Sequence, residues 1–115
     1  MIHNPYHSSL FSKKNILKDL KRLLSSKIMN PIDKMILFGS QTDGTASKYS
    51  DYDIIIILKN NYKWQDTNEI LDWCYDIDLK YNIVTDIKII SLNELNSSRG
   101  KQPYVINALK NGISI

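Results

Sequence analysis

The chain has 115 residues, 43% hydrophobic and 23% charged, with 15 Lys and Arg against 12 Asp and Glu for a net charge of +3. That length supports one core and leaves no room for a second site-bearing lobe, and so small a positive charge is no argument for nucleic-acid binding. A single cysteine, Cys74, excludes an internal disulfide and fits a reducing cytoplasm, while the longest apolar run, Ile54 to Leu58, is far too short to span a membrane.

Residues 1–9 read as a loose N-terminal arm, because Pro5 and Ser8-Ser9 discourage regular structure, and residues 10–115 as a single domain. The start, Met1-Ile-His-Asn-Pro5, lacks the charged-then-apolar pattern of a secretion signal. His3 and His7 lie in the arm without a Cys or Glu cluster, which argues against zinc. From Leu10 to about Met29 the spacing of Ile16, Leu17, Leu20, Leu23 and Leu24 predicts an amphipathic helix with Ser12 as its N-cap. Its other face carries Lys13, Lys14, Lys18, Lys21 and Arg22. For so short a basic stretch, a solvated face is the better reading than contact with RNA or an acidic partner.

Pro31 ends that segment, and Met35-Ile-Leu-Phe38 forms a buried strand broken by Gly39-Ser40, where a short helix begins. Backbone N–H groups at a helix start favour a phosphate; Gly39 lets it approach the backbone, and the Ser40 hydroxyl adds a donor. A strand at about 52 to 59 follows, opened by Asp51-Tyr-Asp53. Residues two apart on a strand point to one face, so both carboxylates converge. They stand at the edge of five consecutive aliphatic residues, where unpaired acids are costly unless they bind a metal. Their hard oxygen donors suit magnesium.

After a turn at Asn60-Asn61, Asp66 is placed to cap a helix from about 67 to 81 whose apolar face holds Ile70, Trp73, Cys74 and Ile77. Cys74 and the two tryptophans, Trp64 and Trp73, read as core residues. Asp76-Ile-Asp78 repeats the acid-x-acid pattern within that helix, where side chains two apart diverge, so these two read as surface charges. A strand at about 83 to 90 places Val84, Asp86, Lys88 and Ile90 on one face. A polar loop through Ser97-Ser-Arg99-Gly100 leads to a last helix at about 103 to 111, with Gly112 as its C-terminal cap and residues 113–115 as an extended end.

The stretch Gly39-Ser40, ten spacer residues and Asp51-Tyr-Asp53 resembles the nucleotidyltransferase superfamily, and the tail Pro103–Gly112 is similar to the closing helix of its single-domain branch, the minimal nucleotidyltransferases. The resemblance covers nearly everything after about residue 30. It implies an α/β (α+β) domain of the DNA polymerase beta-like nucleotidyltransferase fold: a small mixed sheet of three or four strands with helices mainly on one face. It implies transfer of a nucleoside monophosphate, most simply AMP from ATP, to a hydroxyl, with Mg2+ held by Asp51, Asp53 and Asp86, Asp86 also taking the acceptor proton, and Gly39 and Ser40 contacting the triphosphate. It implies a helical HEPN-type partner protein of the toxin–antitoxin kind, with a partner tyrosine as acceptor. The usual turn reads G-S-R-x-R-G; here Gln41 and Asp43 replace the arginines and Gly44 keeps the last glycine. Lys48 and Arg99 are candidates to supply the missing charge. Two other functions are open: a non-catalytic binding module on the same fold, and a small-molecule nucleotidyltransferase of the antibiotic-modifying kind.

Overall fold

The computed structural model describes residues 10–43 and 51–115; the expected arm at 1–9, with His3 and His7, and the positions of Gly44 and Lys48 lie outside them. The first helix, α1, runs Leu10–Lys27. Ser12, expected as its N-cap, lies inside it. Strand β1 (Ile32–Phe38) leads through Gly39 into a single helical turn, α2 (Ser40–Asp43). Strand β2 (Tyr52–Leu58) and β3 (Thr85–Ser91) flank the long helix α3 (Trp64–Tyr81). A short helix α4 (Leu92–Leu95), a 3-10 turn (Ser98–Lys101), α5 (Pro103–Asn111) and a two-residue strand β4 (Ile113–Ser114) complete the domain.

The sheet order is β3-β2-β1-β4. The β2–α3–β3 unit gives one parallel pair, and β1 pairs antiparallel with both β2 and β4, so the sheet is mixed. Strand parity then sorts the side chains into two layers. Met35, Leu37, Ile54, Ile56 and Leu58 meet the apolar stripes of α1 and α3, among them Leu17, Leu20, Leu24, Ile70, Cys74 and Ile77. On the other face Ile36, Ile55, Ile57 and Ile90 meet Val105 and Ala108 of the much shorter α5. The two 18-residue helices thus share one face, and α5 covers only part of the other.

Several local expectations are corrected. Asp66 is not the cap of α3 but its third residue, accepting from the Lys63 backbone N–H at 2.9 Å. Trp64 is not in the core: it starts α3 with 71% of its surface exposed, whereas Trp73 packs against the core beneath the Lys27 ammonium, 4.9 Å from the ring centroid. Gly112 caps α5 as expected, its N–H donating to the Ala108 carbonyl, at φ −76°. What requires glycine there is space, since a Cβ would stand 2.4 Å from both the Ala108 oxygen and Ile36 Cγ2. The extended end beyond it is strand β4, with Ile113 opposite Leu37. Asp78 is not a surface charge: its carboxylate accepts the Thr85 N–H at 3.2 Å and the Thr85 hydroxyl at 2.8 Å, tying the end of α3 to β3. Among the described residues no helix is long and apolar enough to cross a membrane.

Candidate functional site

The sheet face carrying Ile55 and Ile57 also carries, at its uncovered end, the acids that open β2 and β3. Register aligns Phe38, Asp53 and Asp86 in one row across three strands, because Asp53 opposes Phe38 on β1 and Asp86 on β3. Asp51 lies two residues before Asp53 and therefore on the same face, exposed at the strand mouth. The structure thus brings Asp51, Asp53 and Asp86 to one end of one face.

The Gly-Ser turn closes over this row. Gly39 takes a left-handed φ of +75°, and a Cβ built on it would stand 2.5 Å from Asp53 Oδ2. Glycine is needed twice over here, for conformation and for room. The turn is held by the Thr42 N–H and hydroxyl, which both donate to the Gly39 carbonyl at 3.0 and 2.8 Å. Because α2 is one turn long, its contribution is a set of local donors rather than a developed helix dipole.

The electrostatics mark Asp53. Burial pushes its carboxyl above the usual range, and the neighbouring Asp86 and Asp51 carboxylates push it further, against a smaller opposing effect of Lys88. Negative charge is therefore concentrated without full compensation, and oxygen donors of this kind fit a hard divalent cation. Among the described residues no three acid, histidine or cysteine groups yet stand at ligand spacing around one point. Asp86 instead leans towards Lys88 at 3.4 Å, with both side chains 46% exposed. An exposed pair of that length contributes about 0–1 kcal/mol, too little to hold the carboxylate away from a divalent ion.

Three nearby residues escaped the sequence reading. Lys88 was placed on the Asp86 face by parity, yet only the register with β2 shows that it faces the acidic row. Asp78 stays on the α3 side of the sheet, bound to Thr85, and burial, with a smaller effect of the Asp51 charge, raises its carboxyl. Lys13 donates to the Gln41 carbonyl at 3.0 Å, bringing a cation from the basic face of α1 to the turn. Gln41, at the first arginine position, is 6% exposed. Arg99 does not reach the site: it donates to Glu94 Oε2 at 2.6 Å, to the Tyr62 hydroxyl at 2.9 Å and to the Ile89 carbonyl at 2.9 Å, clamping the far end of β3. Cys74 is buried on the α3 face, where desolvation pushes its thiol up to about 12, the behaviour of an inert core residue.

A strand–Gly-Ser turn with an acidic row on the adjoining parallel strands is the layout of a nucleotidyl-transferring domain. The sequence pattern of the polymerase beta nucleotidyltransferase family matches residues 14–113, and the chain belongs to that family, in its minimal branch. A relative in Methanocaldococcus jannaschii, whose name of protein adenylyltransferase is provisional, is 29% identical over 101 residues, covering 88% of this chain and 95% of its own. Another from the same organism, provisionally named in the same way, is 30% identical over 69 residues, covering 60% of this chain and 70% of its own.

Proposed function

We propose that this protein transfers AMP from ATP to a hydroxyl group on a partner protein. The observation that carries the reading is the Phe38–Asp53–Asp86 row lying directly beneath a side-chain-free Gly39. A triphosphate seated along the turn meets the Ser40 hydroxyl and backbone N–H groups on one side and the three carboxylates on the other. Asp51, Asp53 and Asp86 are the residues that would hold Mg2+. When bound, the metal supplies charge neutralisation of the triphosphate and fixes the geometry of in-line displacement.

In the transfer, the acceptor oxygen bonds to the α-phosphorus as the bond from that phosphorus to its bridging oxygen breaks, and pyrophosphate leaves with the bond's electron pair. Asp86 takes the acceptor proton. Lys88, freed from Asp86, is placed to offset the charge of the phosphates and stands in for an absent arginine. On this reading the acceptor is a tyrosine hydroxyl of a helical HEPN-type protein in a toxin–antitoxin pairing, a choice supported by the family resemblance alone. A domain of this size needs such a second body to enclose the nucleotide.

A second reading is favoured by Gln41, which occupies an arginine position and is turned inward. On that reading the chain is a binding module that neutralises its partner by contact. The two separate in one experiment. Incubation with Mg2+, ATP labelled at the α-phosphate and a soluble extract of the source cells leaves label on protein if the chain is a transferase, with loss of that label in Asp86→Asn. No label on protein or small molecule, together with retained partner binding, supports the binding module.

A further inference from the structure

The outer side of α3 is unlike that of a solvated helix. Trp64, Leu71, Tyr75 and Leu79 are 71%, 41%, 60% and 66% exposed, and at about 100° per residue they fall on one stripe. From position 64 to position 79 that stripe runs about 22 Å at 1.5 Å per residue. The same rotation puts Glu69, Asp72 and Asp76 in a band along one side of it, and none of the three takes part in an ion pair among the described residues. Asn68 lies within the stripe between Trp64 and Leu71, but Leu71, Tyr75 and Leu79 stand on successive turns; scattered exposed apolar residues need no explanation, whereas such a run edged by unpaired like charges does.

The stripe runs towards the end of the sheet that carries the acidic site, on the opposite face. Past the end of α3, Val84 is 58% exposed, and its carbonyl accepts the backbone N–H of Tyr52, the residue between Asp51 and Asp53. Asp78, on the last turn of α3, feels the Asp51 charge. The last turn of α3 and the carboxylate row thus lie at the same end of the sheet, on opposite faces.

We infer that the Trp64–Leu79 stripe is the docking surface for a partner protein, and that it takes a partner helix whose apolar stripe is bordered by Lys or Arg. The helix-on-helix mode follows from the length and spacing of the stripe, and the basic border from the Glu69–Asp72–Asp76 band. A second copy of this chain is a poor occupant. Laying α3 antiparallel on its equivalent opposes the two acidic bands, and α1, which does carry Lys14, Lys18 and Arg22, presents no exposed large apolar side chain among the described residues.

The test uses the full chain and two synthetic helical peptides of 18 residues with the same leucine stripe and one tyrosine, one bordered by lysines and the other by glutamates. Binding is read from the fluorescence of the exposed Trp64 and by calorimetry. The lysine peptide should bind about tenfold more tightly, equivalent to about 1.4 kcal/mol, and the Glu69→Lys/Asp72→Lys/Asp76→Lys variant should invert that order. Tyr75→Ser/Leu79→Ser should abolish binding while keeping the parent's melting temperature to within a few degrees. Equal binding of both peptides, no binding of either, or an unchanged order after charge reversal overturns the proposal, as does a concentration-dependent dimer lost in Tyr75→Ser/Leu79→Ser. ATP and Mg2+ binding measured on the same samples separates the two ideas: peptide discrimination without nucleotide binding leaves the docking surface standing and removes the transferase, and nucleotide binding without discrimination does the reverse.

Discussion

Gly39 has no side chain where one would begin 2.5 Å from Asp53 Oδ2. The phosphate-side turn and the metal-side carboxylate are thus in steric contact, and a change in either is felt by both. Gly39→Ala pays for the left-handed backbone, about 1–2 kcal/mol, and for displacing the Asp53 carboxylate. The melting temperature should fall by several degrees, and nucleotide binding with it. A double-mutant cycle tests the contact itself: in an Asp53→Ala background the penalty of Gly39→Ala should shrink to the backbone part alone, whereas additive effects would show that the two residues do not meet.

Asp53 should destabilise the metal-free protein at neutral pH. Its folded carboxyl titrates above the ordinary value, so the folded state binds the proton more tightly than the unfolded chain does. Its stabilising contribution is fully present below the unfolded pKa and is lost as pH rises through the folded one. Asp53→Asn removes the charge at constant shape, and its melting temperature in chelator should equal or exceed the parent's at pH 7, with the difference closing towards pH 4. Magnesium should stabilise the parent and leave the variant unmoved. Thermal unfolding across that pH range, with and without magnesium, reads all of this.

Ser40→Ala probes the turn apart from the acids. Loss of one hydrogen bond to a charged phosphate costs about 1.5–3 kcal/mol, or about ten- to hundredfold in ATP affinity, with magnesium binding retained. Parent-like ATP affinity in Ser40→Ala means the hydroxyl only shapes the turn.

The chemistry-bearing segments were legible because period and spacing are local properties. Ile54–Leu58 could only be a buried strand, and the parity that put Asp51 with Asp53, and Asp86 with Lys88, survives in the observed register. Ser91-Leu-Asn-Glu94 carried an equally local signal, a capping box in which the Ser91 hydroxyl accepts the Glu94 N–H and Glu94 accepts the Ser91 N–H, each at 3.1 Å. The breaker signal of Ser97-Ser-Arg99-Gly100 just after it makes the whole stretch read as a polar loop. The roles of Arg99, Asp78 and Lys13 were not legible, since each is decided by a partner in another element: Tyr62, Thr85 and Gln41 respectively. Gly112 is legible as the cap of α5, but only the proximity of β1 to α5 shows that the need for glycine is a matter of space.

Arg99 offers a control for that distinction. Its bonds to Glu94, Tyr62 and Ile89 join the 3-10 turn to α4 and β3, and its side chain is 38% exposed, so screening limits their worth. Arg99→Ala should lower stability by about 1–2 kcal/mol in urea denaturation while leaving ATP affinity unchanged. A loss of nucleotide binding beyond the loss of stability would place this arginine at the phosphates after all.

The central claim is that Asp51, Asp53 and Asp86 make one metal-dependent nucleotide site under the Gly39-Ser40 turn. Calorimetric titration of ATP into the full chain, in magnesium and in chelator, for the parent and Asp53→Asn, tests it most directly. ATP should bind the parent only with magnesium, and Asp53→Asn should lose that binding by about a hundredfold or more, about 2.7 kcal/mol, while keeping its fold. Parent-like binding in Asp53→Asn, or ATP binding indifferent to magnesium, would contradict it.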